Sequence, residues 1–393
     1  MQGSILVLKG QSLYNVLRMA ADSMAEAFHD MDYEVTVLDL TIDKEVEAFN
    51  WNLVENFDLV FSFQALLFDY CPQDGKSAMF ASFKDTKFFG HIMDHPIYHS
   101  TRVASNHEIN MYVGCMDKGH VDYIERYYPG VKNVMFIPHG GFTPNRMVPY
   151  KERTIEVFFP GSYKKPSAVI DKIDNLPEVY RNLSYKLIDE MKAHPLLALQ
   201  DVLLQYLEEV NFAFSSEEFS QIMLAVAVVD EYIHEDSRDY CIRGLLNNGI
   251  RLSVCGSGWD ELDINLKDKI QILNDGGMDF TEVLECMGNS KMVLNHIPTL
   301  QQGMHERMFS SMLSGAISLT NDFPIIHEEF IDGENIILYN EETIFELSER
   351  IKELIANPDK AEEIANNGYK IAKNSHTWAK NAETILRITG IQK

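Results

Sequence analysis

The feature that most constrains this chain is a repeated alternation of short, continuous apolar runs, bounded by turn residues, with segments of helical periodicity. The first runs fall at Ile5 to Leu8, Glu34 to Leu38, Leu59 to Phe63, Lys87 to Met93, Met111 to Val113 and Asn133 to Ile137. Strands that are apolar throughout must be covered on both faces, as in parallel sheets whose crossovers are helices. From about residue 154 the pattern begins again, at Glu156 to Phe159, Arg251 to Cys255, Ile270 to Leu273, Lys291 to Asn295, Ala316 to Thr320 and Ile336 to Tyr339. Two sets of six predict an α/β protein with two doubly wound, Rossmann-like domains, and 393 residues suffice for two hydrophobic cores.

The segment PHGGFTPNRMVPYKER, with three prolines and two adjacent glycines, separates the sets, so the seam is expected near residues 141–153. This gives a first domain over 1–148 and a second over 149–378. A last helix over 379–393 is expected to cross back to the first domain, as two-domain folds of this kind often arrange. The first two strands of the second set are far apart. Between them, residues 169–247 are helix-rich and acidic, and LLALQDVLLQYLEEV and EEFSQIMLAVAVVDEYI carry apolar residues at helical spacing. They read as a helical insert, serving packing, acceptor recognition or a homo-oligomer contact.

Composition narrows the function classes. A net charge of −25 argues against a nucleic-acid partner, which would require clustered Lys and Arg, although one pocket can still hold a small phosphorylated ligand. The five cysteines, Cys71, Cys115, Cys241, Cys255 and Cys286, are odd in number and contain no C-x-x-C pair, which disfavours a disulfide framework or a structural zinc site. A reducing cytoplasm fits. MQGSILVLKG reads as a first strand rather than a leader, and no run reaches transmembrane length.

QQGMHERMFSSMLSGAISLTND, residues 301–322, is the most informative segment. Met304, Met308 and Met312 recur every four residues and predict a buried stripe, while Glu306, Ser310 and Ser314 predict a parallel polar stripe on another, available face. Gly315 is placed to end the helix. At the other end, Gly303 allows close backbone approach, and the free N–H groups near Met304 and His305 make an anion site. An ordinary helix with a glycine entry reads the same way.

The run NSKMVLNHIPTLQQGMHERMFSSMLSGAISLTNDFPIIHEEFIDGENIILY resembles the C-terminal domain of group 1 glycosyltransferases, especially the CgeB-like, spore-maturation type. The resemblance rests on a strand ending in Asn295, then Gly303, Met304, His305, Glu306 and Arg307, then Ser314 and Gly315, then Thr320, Asn321 and Asp322. It implies a GT-B fold, two Rossmann-like domains facing a cleft, and sugar transfer from a nucleotide-diphosphate sugar to an acceptor it leaves unspecified. GT-B folds stabilise the leaving diphosphate with amides and basic residues, so neither cofactor nor metal is expected. The donor's diphosphate would lie around Gly303 to Arg307, with His305 contacting sugar or phosphate. A second phosphate element would be Gly161, Ser162, Tyr163, Lys164 and Lys165, where a lysine neutralises the departing diphosphate; the two lysines also read as solvated surface charges. Gly256 opens a short glycine turn near the expected nucleoside, and Trp259 either stacks on the base or packs. Many retaining members carry two glutamates eight positions apart. Here those positions are Gln302 and Ser310, so retention does not carry over, and Glu306, one turn before Ser310, is the candidate ribose contact.

On the acceptor side, ligands of open parallel sheets bind beyond the carboxyl ends of strands. His91, Asp94 and His95 fall at the end of the fourth strand and His139 at the end of the sixth, while Gln11 and Ser12 follow the first. Asp94 and His95 are candidate catalytic residues, because an inverting transfer needs a base for the acceptor proton. They read equally as a turn cap and a satisfied buried histidine. A GT-B-like binder without turnover is the competing class. A dinucleotide-dependent dehydrogenase is disfavoured because Lys9, Gly10, Gln11 and Ser12 lack the G-x-G-x-x-G spacing.

Overall fold

The computed structural model describes residues 3–70, 79–105 and 109–391; Cys71 lies outside them. The four described cysteines are free. The chain forms two compact units, divided between Gly140 and Gly141; the first also takes in Ser215–Ser220 and His376–Lys393.

In the first unit the strands are β1 (Ser4–Lys9), β2 (Glu34–Asp39), β3 (Leu59–Phe63), β4 (Lys87–Ile92), β5 (Met111–Cys115) and β6 (Val134–Phe136). They form one parallel sheet in the order β2-β1-β3-β4-β5-β6. The helices here are α1 (Val16–Asp30), α2 (Asp43–Ala48), α3 (Ser100–Ala104) and α4 (Lys118–Tyr127). β3 is buried at every position, as expected of a strand covered on both faces.

The second unit holds β7 (Ile155–Pro160), β8 (Leu252–Gly256), β9 (Ile270–Asp275), β10 (Ser290–Asn295), β11 (Ile317–Asn321) and β12 (Ile337–Tyr339). Their parallel order is β12-β11-β10-β7-β8-β9. The long connection from β7 to β8 is five helices, α5 (Pro166–Asp174), α6 (Glu178–Ala193), α7 (Leu199–Glu209), α8 (Ser216–Ala225) and α9 (Val228–Asn247). After them come α10 (Phe280–Gly288), α11 (Glu306–Leu313), α12 (Ile344–Ala356) and α13 (Pro358–Ser375). The final helix, α14 (Trp378–Thr389), belongs to the first unit and packs on α1. All twelve strands expected from the sequence are present, and with them the doubly wound α/β class.

In the second sheet the direction of strand addition reverses between β7 and β10. That topological switch point opens a crevice at the carboxyl ends of the two strands, where open α/β sheets bind ligands. The residues just after β7 and the loop from β10 to α11 therefore flank one position, although about 130 residues separate them in the chain.

α11 corrects one expectation. Met304, Met308 and Met312 are buried as predicted, but the polar stripe is buried too: Glu306, Ser310 and Ser314 expose 6%, 0% and 0% of their surface. The helix is short enough to be enclosed all round, so its polar groups pair internally. Ser314 Oγ donates to the Ser310 carbonyl at 2.7 Å, and Ser310 Oγ accepts from the Phe142 amide at 2.9 Å. Gly315, at φ 68°, ends the helix in the left-handed conformation that glycine adopts without strain.

Candidate functional site

Two glycine turns interlock beside the switch point. Ser162 Oγ accepts from the Ser257 amide at 3.1 Å, and the Tyr163 amide donates to the Ser257 carbonyl at 2.9 Å. A Cβ on Gly258, at φ 82°, would lie 2.1 Å from the Tyr163 carbonyl oxygen, so only glycine lets the turns approach this closely. Tyr163 is buried, donates its hydroxyl to Asp239 and accepts from Arg243 at 3.2 Å; it holds the turn. Lys164 is ion-paired with Glu231 of α9, which also binds Lys172 at 2.8 Å, so its charge is shared within the protein.

Trp259 is a correction. The ring is wholly buried, lies 5.5 Å from Tyr163 at an interplanar angle of 29°, and donates its indole N–H to the Gly161 carbonyl at 3.1 Å. It anchors the first glycine turn from below, and with no exposed face it stacks on no base.

Across the crevice His305 caps α11, its Nδ1 accepting from the Arg307 amide at 3.1 Å. The next residue, Glu306, takes the hydroxyl hydrogen of Ser310, and burial pushes its carboxyl up to about 7. Arg307 lies with its guanidinium 5.9 Å from the centre of the Phe159 ring; its Nη1 is buried and has no hydrogen-bond partner among the described residues. Burial pulls Arg307 down to about 10, against the pull of Glu306, which leaves it charged at neutral pH. Asn295, Gly303, Met304 and His305 line one small cleft with Thr320 and Asn321 at the ends of β10 and β11. Asn295 donates to Thr320 Oγ1 at 2.7 Å, and its buried Oδ1 has no partner among the described residues.

Arg238 is the residue that sequence reasoning missed. It projects from α9, is 8% exposed, and its guanidinium lies 5.7 Å from the centre of the same Phe159 ring. Its Nη1 donates to the Ser162 carbonyl at 3.0 Å, which ties α9 to the first glycine turn. Helical periodicity alone reads this stretch as an insert, and no local motif marks one arginine in it as different from the others.

In the first unit the candidates separate by burial. His91 is a correction: it is fully buried, stacks on Phe63 at 5.6 Å, and its Nε2 donates to the Ile137 carbonyl at 3.0 Å, so it packs inside the sheet. Burial holds its imidazole down at about 4, hence neutral. His139 is likewise 7% exposed, with Nε2 2.8 Å from the Met116 sulfur and a pKa lowered by burial to about 3. His95 caps the short 3-10 turn Pro96–His99, its Nδ1 accepting from Ile97 at 3.1 Å. Asp94 is different, since its side chain is 60% exposed. His99 beside it, and then Gln64, which donates at 2.6 Å, hold its carboxyl below the usual carboxylate range. Gln64 directly follows β3 at φ 58°, in the left-handed region uncommon for a residue other than glycine. Gln11 is exposed after β1, and Ser12 Oγ accepts from the Leu17 amide at 2.9 Å at the entry to α1.

Two parallel six-stranded sheets with flanking helices, in two units of which the first takes in the C-terminal helix, define the GT-B class of α/β proteins. Solved structures share that fold over nearly the whole chain. An α-glucosyltransferase in complex with UDP matches at a TM-score of 0.58 and 10% identity, covering 99% of this chain and 100% of that one. Anabaena HepE in complex with UDP and glucose matches at 0.55 and 12%, covering 99% of each chain. Sucrose-phosphate synthase from Thermosynechococcus elongatus matches at 0.56 and 11%, covering 98% of each. No curated protein matches by sequence. Residues 238–387 match the family model described as glycosyl transferase-like, a stretch that begins at Arg238 and includes the whole of α11.

Proposed function

We propose that this protein transfers a sugar from a nucleoside-diphosphate sugar to an acceptor hydroxyl on a protein, glycan or small molecule, without a metal, in the cytoplasm. The observation that carries the reading is Arg307: a buried guanidinium with an unpartnered N–H, at the start of α11, across the switch point from the Gly161 turn. A cation that has lost its water and lacks an acceptor is stabilised by an anion, and a leaving diphosphate is the anion this fold class presents there. In the transfer, the acceptor oxygen bonds to the anomeric carbon and the bond from that carbon to the diphosphate oxygen breaks. The electron pair leaves with the diphosphate, where Arg307 and the backbone N–H groups stabilise it. Asp94 takes the acceptor proton, His305 positions the donor, and Glu306 holds the ribose. The CgeB-like subgroup is the one whose residue order this chain follows.

The experiment is release of nucleoside diphosphate from UDP-, GDP-, TDP- and ADP-sugars. Turnover of one donor, slow without acceptor, is expected and should be abolished in Arg307→Met. Absence of both binding and release across the panel would refute the reading. Binding without release would favour a non-catalytic nucleotide-sugar binder, the alternative supported by Gln302 and Ser310 at the positions where retaining relatives carry glutamates.

A further inference from the structure

Arg238 and Arg307 bring two guanidiniums within 5.7 and 5.9 Å of one phenyl ring, in a chain whose net charge is −25. Like charges in a buried setting repel, and after burial itself Arg238 lowers the pKa of Arg307. Their acidic neighbours are shared with other groups: Glu235 pairs with Arg238 at 3.2 Å and also reaches His234 at 3.7 Å, and Glu306 takes the hydroxyl hydrogen of Ser310. Lys164 and Lys172 share Glu231.

Arg238 is also held rigidly. Nη1 donates to the Ser162 carbonyl and to Glu235, Nη2 donates to His234 Nε2 at 2.9 Å, and Nε is buried without a partner among the described residues. Its helix is fixed one residue earlier. Ser237 donates to Glu341, so its oxygen accepts from His296 Nε2 at 3.1 Å, and His296 Nδ1 accepts from the Tyr339 hydroxyl at 2.9 Å. A pre-set cation with an orphaned N–H beside a second one is an incomplete anion site.

We propose that Arg238, delivered by α9, is the second cation of the donor's diphosphate site, so that the helical segment between β7 and β8 is part of the donor site rather than an insert. This rests on the nucleotide-sugar reading above. It specifies the ligand further: two cations at one locus select a nucleoside diphosphate over the corresponding monophosphate, with Arg307 engaging one phosphate and Arg238 the other.

Calorimetric titration with UDP, GDP, TDP and ADP and with the four monophosphates tests it on the full chain. The wild type is expected to bind one diphosphate at least ten-fold more tightly than its monophosphate. Arg238→Met should erase that difference while leaving monophosphate affinity within two-fold, which also certifies the fold. Arg238→Lys, which keeps the charge but not the fork, should retain part of the preference and serves if the methionine variant does not fold. A diphosphate preference that survives unchanged in both variants would overturn the role of Arg238 while leaving the nucleotide-sugar reading intact. A wild type that binds none of the eight nucleotides would overturn both.

Discussion

Glu306 is the residue whose chemistry most exceeds its sequence signal. Its carboxyl is buried, receives one hydrogen bond from Ser310, and is raised from 4.5 to about 7 by burial. A group whose pKa is higher folded than unfolded binds protons more readily in the native state, so its contribution to stability is complete below the unfolded value. That contribution is lost as pH rises through about 7. The shift corresponds to on the order of 3 kcal/mol across the window from about pH 4.5 upward. Glu306→Gln keeps an acceptor for Ser310 and removes the titration. Its urea midpoint should equal that of the wild type at pH 5 and exceed it at pH 8.5; equal midpoints at both would show that the carboxyl titrates normally. Donor affinity measured on the same variant tests the ribose contact separately, since unchanged affinity would remove Glu306 from the binding role.

At the scale of elements, α11 is held at its C-terminal end by a group remote in sequence. Its C-terminal carbonyls are met by one side chain: Arg153 donates to the Ser314 carbonyl at 2.9 Å and the Gly315 carbonyl at 2.7 Å, and also to Ser290 at 2.8 Å and Val148 at 2.9 Å. A cation at a helix C-terminus also complements the helix dipole. Arg153→Met keeps the bulk and orphans those carbonyls, at a cost of roughly 2–4 kcal/mol. Faster amide exchange concentrated in α11 and β11 should report it; uniform exchange over the second unit would show that the cap is not specific to the helix. Alternation of apolar runs made the strands legible because a strand covered on both faces tolerates nothing else. The glycine turns were legible because φ values such as 82° at Gly258 nearly demand that residue. What sequence could not show was which polar groups turn inward. The Glu306 and Ser310 stripe looks solvent-facing by periodicity alone, until Phe142 is seen donating to Ser310. Trp259 looks like a base platform until the Gly161 carbonyl is seen accepting its N–H. Arg238 was invisible for the same reason, since its role comes from the turn after β7 that α9 folds back to meet.

For the whole molecule, the consequential feature is that the first unit is built from both ends of the chain. Trp378 at the start of α14 lies 5.3 Å from Phe63 at the end of β3, and Asn381 donates to the Pro138 carbonyl at 2.8 Å. Gly140 has no room for a side chain, because a Cβ there would sit 2.5 Å from the Trp378 ring. Ala382, Ile385 and Leu386 are buried along the same helix, and large apolar side chains contribute about 1.5–3 kcal/mol each when fully buried. The first unit therefore cannot complete its core until α14 is in place, even though its sheet is finished by β6. A chain ending at Ser375 should leave residues 141–375 resistant to limited proteolysis while cleavage spreads through residues 1–140. Trp378→Ala, which removes the ring but keeps the helix, should lower stability by about 3–5 kcal/mol and sensitise the same N-terminal stretch to a lesser degree. Equal protease resistance of the first unit in the truncated and intact chains would show that its core closes without α14. Sensitivity in both units at once would show instead that the two unfold as a single cooperative body.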